Sequence, residues 1–188
     1  MKSIIKVEKI LMEAINKIKP NYFIRGERDF TYELYHEIRK FNLPEKIEIS
    51  AETSKTNNRL PFKMVKDLFL YKYFYDKENI DLNEKTYRRV PDLLFHEYDN
   101  KNQQYIAIEV KGANTNHTKI CIDLAKLAFY CRGDLRYQKG VLILYGDKRL
   151  NNIEVPNIRE FLKRYPEIEI WVKPSQKDLV IYCSNNLP

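Results

Sequence analysis

Glycine is scarce in this chain, five residues in 188, and with eight prolines it forms no Gly/Ser-rich or Pro-rich tract that could act as a linker. The sequence therefore reads as one domain over residues 1–188. Cysteine is scarce too: Cys121, Cys131 and Cys183 are odd in number and widely spaced. They suit neither a disulfide framework nor a zinc knuckle, so a reducing, cytoplasmic setting is expected. No apolar run reaches the ~18 residues needed to cross a bilayer, which excludes a helical membrane protein. The opening Met1-Lys2-Ser3-Ile4-Ile5-Lys6 soon meets Glu8 and Lys9, so the apolar centre of a signal peptide is not expected either. Internal repeats are missing.

Apolar residue and charge are both plentiful. Hydrophobic residues make up 44% of the chain, enough to build a core and to argue against general disorder. Lys and Arg exceed Asp and Glu by 33 to 26, a net charge of +7. A basic surface concentrates polyanions, so nucleic acid is a natural partner. The chain is also rich in Lys, Asn, Ile and Tyr, as A/T-rich genomes encode, so the charge permits such a partner without selecting it.

Helical spacing of Ile4, Val7, Ile10, Leu11, Ala14, Ile15 and Ile18 predicts an amphipathic helix over 2–19, stopped by Pro20. A second helix is predicted over Glu27 to Phe41, with Phe30, Leu34, Ile38 and Phe41 as its apolar stripe. Ile47 to Ala51 reads as a short strand. The aromatic stretch Phe62 to Tyr75 fits a helix somewhat better than a strand. Two strands, Val90 to Tyr98 and Gln104 to Val110, flank the turn-forming Asp99-Asn100-Lys101-Asn102. A helix from about Thr118 to Tyr130 and a buried strand over Val141 to Tyr145 follow. A short helix over Asn157 to Arg164 and strands over Ile168 to Val172 and Leu179 to Tyr182 complete an α/β mixture.

The hairpin allows a register calculation. With the turn at 99–102, Tyr98 faces Gln103, His96 faces Tyr105, Leu94 faces Ala107, Asp92 faces Glu109 and Val90 faces Lys111. One face then carries Leu93, Phe95, Ile106, Ile108 and Val110. The other gathers Asp92, Glu109 and Lys111 at the end away from the turn. Opposed carboxylates repel unless something cationic lies between them. Lys111 supplies one positive charge and a divalent cation would supply the rest. Oxygen donors without a Cys/His cluster point to Mg²⁺ or Mn²⁺. An ordinary Asp/Glu/Lys cluster at an exposed strand end is the plainer alternative.

Pro91-Asp92 followed by Glu109-Val110-Lys111 resembles the PD-(D/E)xK nuclease superfamily, also called restriction-endonuclease-like. The resemblance covers about 27–145, leaving 146–188 as a C-terminal extension and Phe62 to Glu84 as an insertion. It includes the acidic helix before the motif, the strand opening Arg88-Arg89-Val90-Pro91-Asp92, and the helix containing Asp123-Leu124-Ala125-Lys126-Leu127. It implies an αβββαβ core with a mixed central sheet flanked by helices. It further implies that Asp92 and Glu109 coordinate the metal with the Val110 carbonyl, and that Lys111 orients water or stabilises charge. Burial would lower the Lys111 pKa toward proton transfer. Many members add a helix glutamate, and Tyr32-Glu33-Leu34-Tyr35 matches that pattern at Glu33. Helical geometry brings Glu37 closer to the apolar centre of the stripe, so both stay candidates.

Arg88, Arg89 and Lys126 are candidate phosphate contacts, with Asp123 placed to orient Lys126 from three residues away. His96 is expected to be a packed or surface residue. The expected function is metal-dependent hydrolysis of DNA phosphodiesters, with no membrane partner and with a homodimer as one way to cut both strands. The alternatives are a catalytically weak nucleic-acid-binding protein of the same fold and a protein-interaction subunit.

Overall fold

The computed structural model describes residues 2–51, 90–97, 100, 103–112, 115–133, 135–146, 156–178 and 180–183. The expected helix over 62–75, Arg88, Arg89 and most of the 98–102 turn lie outside these residues. Helix α1 spans Lys2–Lys17, a 3-10 turn spans Pro20–Ile24, and α2 spans Glu27–Ile38. Strands β1 (Glu48–Ala51), β2 (Leu93–His96) and β3 (Gln104–Gly112) come next, then α3 (His117–Arg132) and β4 (Lys139–Tyr145). Helix α4 (Pro156–Arg164), β5 (Ile168–Lys173) and β6 (Ile181–Cys183) complete the series. No helix among the described residues is long and apolar enough to cross a membrane.

The strands form one mixed sheet in the order β1-β2-β3-β4-β5-β6. Pairing is antiparallel from β1 to β3, parallel across β3, β4 and β5, and antiparallel again at β6. The β3-α3-β4 crossover makes β3 and β4 parallel neighbours, so both faces of the central strands need cover. Helices α1 and α2 bury Leu11, Ile15, Phe30 and Leu34 against Ile106, Ile108, Val110 and Ile143 on one face. Helices α3 and α4 bury Leu124, Ala128, Ile158 and Phe161 against Ala107, Leu142 and Leu144 on the other. Gly140 permits the close approach of α3: an added Cβ would stand 3.0 Å from the Leu127 Cβ.

Helix α2 ends at Ile38, short of the expected Phe41. The amides of Lys40 and Phe41 bond carbonyls only three residues back, so the chain tightens into turns ahead of Pro44. The hairpin register holds in the middle, with Leu93 opposite Ile108 and Leu94 opposite Ala107. It departs at both ends. A bulge makes Tyr105 an extra residue, so His96 pairs with Gln104 and not with Tyr105. Strand β2 begins at Leu93, and the expected ladder pairs Asp92–Glu109 and Val90–Lys111 are not made. Pro91 has no N–H to donate, and the Asp92 side chain takes over the pairing role by accepting the Val110 N–H at 2.7 Å.

Candidate active site

Alternation along β3 points Glu109 and Lys111 to the same side as Ala107, toward α3. Asn116 caps α3, its Oδ1 accepting the Lys119 N–H at 3.0 Å, and so sets where that helix starts. Two turns on, Asp123 and Lys126 meet the strand. The Lys126 Nζ lies 3.2 Å from Glu109 Oε2 and 2.7 Å from Asp123 Oδ1. The Lys111 Nζ lies 3.3 Å from Asp123 Oδ2, donates to the Val110 carbonyl at 3.1 Å, and reaches Glu27 Oε1 at 2.6 Å. Glu27 is the first residue of α2. The site therefore forms where both helical layers meet the end of β3.

Glu27, Asp92, Glu109 and Asp123 face two lysines, a formal excess of two negative charges. Glu109 is only 1% exposed. Burial, then the neighbouring Asp123 and Asp92 carboxylates, push its pKa well above the usual carboxylate range, against the pull of Lys126 and Lys111. Burial also raises Asp92 to about 6, although Lys111 and the Val110 N–H favour its ionised form. Both lysines go the other way from the expectation for Lys111. Burial alone would lower Lys111, but Asp123, Glu27 and Asp92 outweigh it and the net shift is upward. Lys126 is raised in the same way, chiefly by Glu109 and Asp123 acting against burial. Two firmly protonated ammonium groups thus act as the counter-ions of a carboxylate cluster.

Asp92, Glu109, Val110 and Lys111 come together. Lys126 is drawn inside by Glu109 and Asp123 instead of facing outward to meet phosphate; the Asp123–Lys126 pair itself forms as the three-residue spacing expects. Glu33 is buried on α2 and joins neither lysine in an ion pair, while Glu37 pairs with Lys40 at 2.5 Å. The α2 carboxylate that touches Lys111 is Glu27. Its signal in the sequence is its place directly after Gly26, in the first turn of the predicted helix. His96 is fully buried, its Nε2 2.5 Å from Ser50 Oγ.

Among the described residues, no three His, Cys, Asp or Glu side chains already converge as a metal-binding group. Magnesium needs fewer, since it keeps several waters and binds through one or two carboxylates. Two observations fit it: the twofold excess of negative charge, and the buried Asp123 Oδ2, which has an ionic neighbour in Lys111 but no hydrogen-bond geometry with it. No family model, curated protein or solved structure matches the chain.

Proposed function

We propose that the chain is a Mg²⁺-dependent DNA endonuclease of the restriction-endonuclease-like kind, with α2 to β4 as its core and Mn²⁺ as a substitute ion. Among the described residues these elements run helix, three strands, helix, strand, which agrees with an αβββαβ core. The observation that carries the reading is the meeting of Asp92, Glu109 and Lys111 at one sheet end, in a cluster two positive charges short of neutral. Asp92, Glu109 and the Val110 carbonyl would hold the ion. When bound, it supplies neutralisation of the charge that builds on the phosphoryl oxygens.

In the proposed reaction, a water oxygen bonds to phosphorus, the bond to the leaving sugar oxygen breaks, and the water's proton ends on that oxygen or in solvent. Against burial, Asp123, Glu27 and Asp92 raise the Lys111 pKa, which favours a role as an ammonium that donates to the developing negative charge over a role as the base. Glu27 and Asp123 hold its Nζ in place from two helices. Lys126 screens Glu109 and Asp123 from each other.

Nicking of supercoiled plasmid tests the reading. Wild type should nick with Mg²⁺ and not with EDTA. Asp92→Asn and Lys111→Ala should each lose on the order of 100-fold or more in rate. No cleavage with any divalent ion would refute the enzyme. The second reading, a nucleic-acid-binding protein that does not cut, is favoured by the Lys126–Glu109 pair, since that ammonium sits on one of the two proposed carboxylate ligands. DNA binding without turnover would select it. A homodimer would present two such sites to the two strands of a duplex.

A further inference from the structure

A cleft of about 650 Å³ opens beside the cluster, at the C-terminal ends of β3 and β4. Glu27, which grips Lys111, forms part of its wall, so the cleft borders the cluster through that residue. Its other lining residues include Arg25, Gly112, Asn116, Lys119 and Tyr145. The volume falls within the roughly 300–1,000 Å³ typical of small-ligand pockets, enough for one nucleotide unit of a longer strand.

The chemistry of this cleft is opposite to that of the cluster next to it. Lys111 and Lys126 are consumed by carboxylates, whereas neither Arg25 nor Lys119 has a carboxylate partner among the described residues. Both are exposed. They stand on different elements, the end of the 3-10 turn and the first turn of α3. Arg25 is steered by Tyr22, its Cζ lying 5.1 Å from the ring centre. The wall beneath is firm: Tyr145 stacks on Phe30 at 3.8 Å and donates its hydroxyl to the Arg25 carbonyl at 3.2 Å. Gly112 lines the cleft beside Tyr145, where an added Cβ would make ordinary contact with the Tyr145 hydroxyl oxygen at 3.4 Å.

We infer that this cleft holds the sugar-phosphate backbone of the bound strand beside the reacting phosphate, with Arg25 and Lys119 each neutralising one phosphate. The inference rests on the nucleic-acid reading above and moves the phosphate contacts from Lys126 to these two residues. A strand lying there would place its next phosphodiester against Lys111 and the proposed metal ligands. The exposed Ile24 beside Arg25 offers an apolar edge to the sugar.

The test separates this inference from the nuclease reading by measuring binding without cleavage. Fluorescence anisotropy of labelled single-stranded and duplex DNA oligonucleotides in EDTA is followed from 50 to 300 mM salt. Three proteins are compared: wild type, Arg25→Ala with Lys119→Ala, and Arg159→Ala with Lys163→Ala. The last loses the same charge from exposed positions on α4, away from the cleft. Loss of two phosphate contacts should lower the slope of log K against log salt by about 1.8 on duplex or about 1.4 on single strands, with roughly 50-fold weaker binding near 0.1 M salt. The α4 control should keep most of the slope. A cleft variant with the wild-type slope, from a protein that binds DNA, would overturn the subsite and leave the nuclease reading standing. Absence of wild-type binding to either oligonucleotide would overturn the subsite as well, and plasmid nicking with Mg²⁺ would then decide the nuclease reading by itself.

Discussion

Asp92→Asn should make the protein more stable and less active at once, and the size of the gain follows from the site. Burial lifts the Asp92 carboxyl from 3.8 to about 6. A carboxyl whose folded pKa is raised favours folding below its unfolded pKa and loses that contribution as pH climbs through the folded one. At pH 8 the ionised group therefore costs about 3 kcal/mol relative to its protonated form. Asparagine keeps an oxygen for the Val110 N–H and drops the charge. The pull of Lys111 is already contained in that raised pKa, so a gain of at most about 3 kcal/mol at pH 8 is expected, or up to roughly 6–12 °C in Tm. The gain should fade between pH 6 and 4. Urea denaturation in EDTA across pH 4 to 8 measures it. Saturating Mg²⁺ should then stabilise wild type by about 2.7 kcal/mol at a hundred times Kd and leave the variant unmoved. A variant destabilised equally at pH 5 and pH 8 would refute the electrostatic reasoning, and equal Mg²⁺ stabilisation of both proteins would remove Asp92 from the ligand set.

Lys126→Met strips the counter-charge from Glu109 and Asp123, both nearly fully buried, and should cost about 3–5 kcal/mol in denaturant titrations near pH 8. The loss should shrink at pH 5 as Glu109, already raised, takes up a proton; a loss independent of pH would contradict the ion-pair account. Glu27→Gln should slow plasmid nicking by roughly 10-fold through loss of the charge holding Lys111, with Glu33→Gln near wild type, and the reverse order would restore Glu33 as the helix carboxylate. Gly140→Ala, crowding the Leu127 Cβ at 3.0 Å, should lower stability by about 1–3 kcal/mol while leaving nicking unchanged at 20 °C.

Much of the fold was legible because its signals are local. The α1 stripe from Val7 to Ile18 and the apolar run Val141 to Leu144 are buried, as their periods predict. The hairpin faces were legible for the same reason: an alternation of two, checked against a buried face, leaves one register through Leu93–Ile108 and Leu94–Ala107. The bulge at Tyr105 escaped, since alternation counting has no place for an extra residue. The start of β2 at Leu93 follows from a proline and one carboxylate acting together, which the strand pattern Val90 to Tyr98 does not reveal.

The site divides along the same line. The sequence alone determined that Asp92, Glu109 and Lys111 keep company, because pairing within one hairpin carries residues eighteen positions apart to a common end. Only the tertiary structure decided which helix residues join them. Periodicity ranks the acids of α2 by angle around the axis, and on that measure Glu33 and Glu37 compete; the axial position is silent, yet six residues are about 9 Å of helix. The packing of α2 against the sheet brings Glu27 to Lys111. It is the packing of α3 that turns Lys126 inward, where a buried Glu109 and Asp123 hold it more strongly than water would.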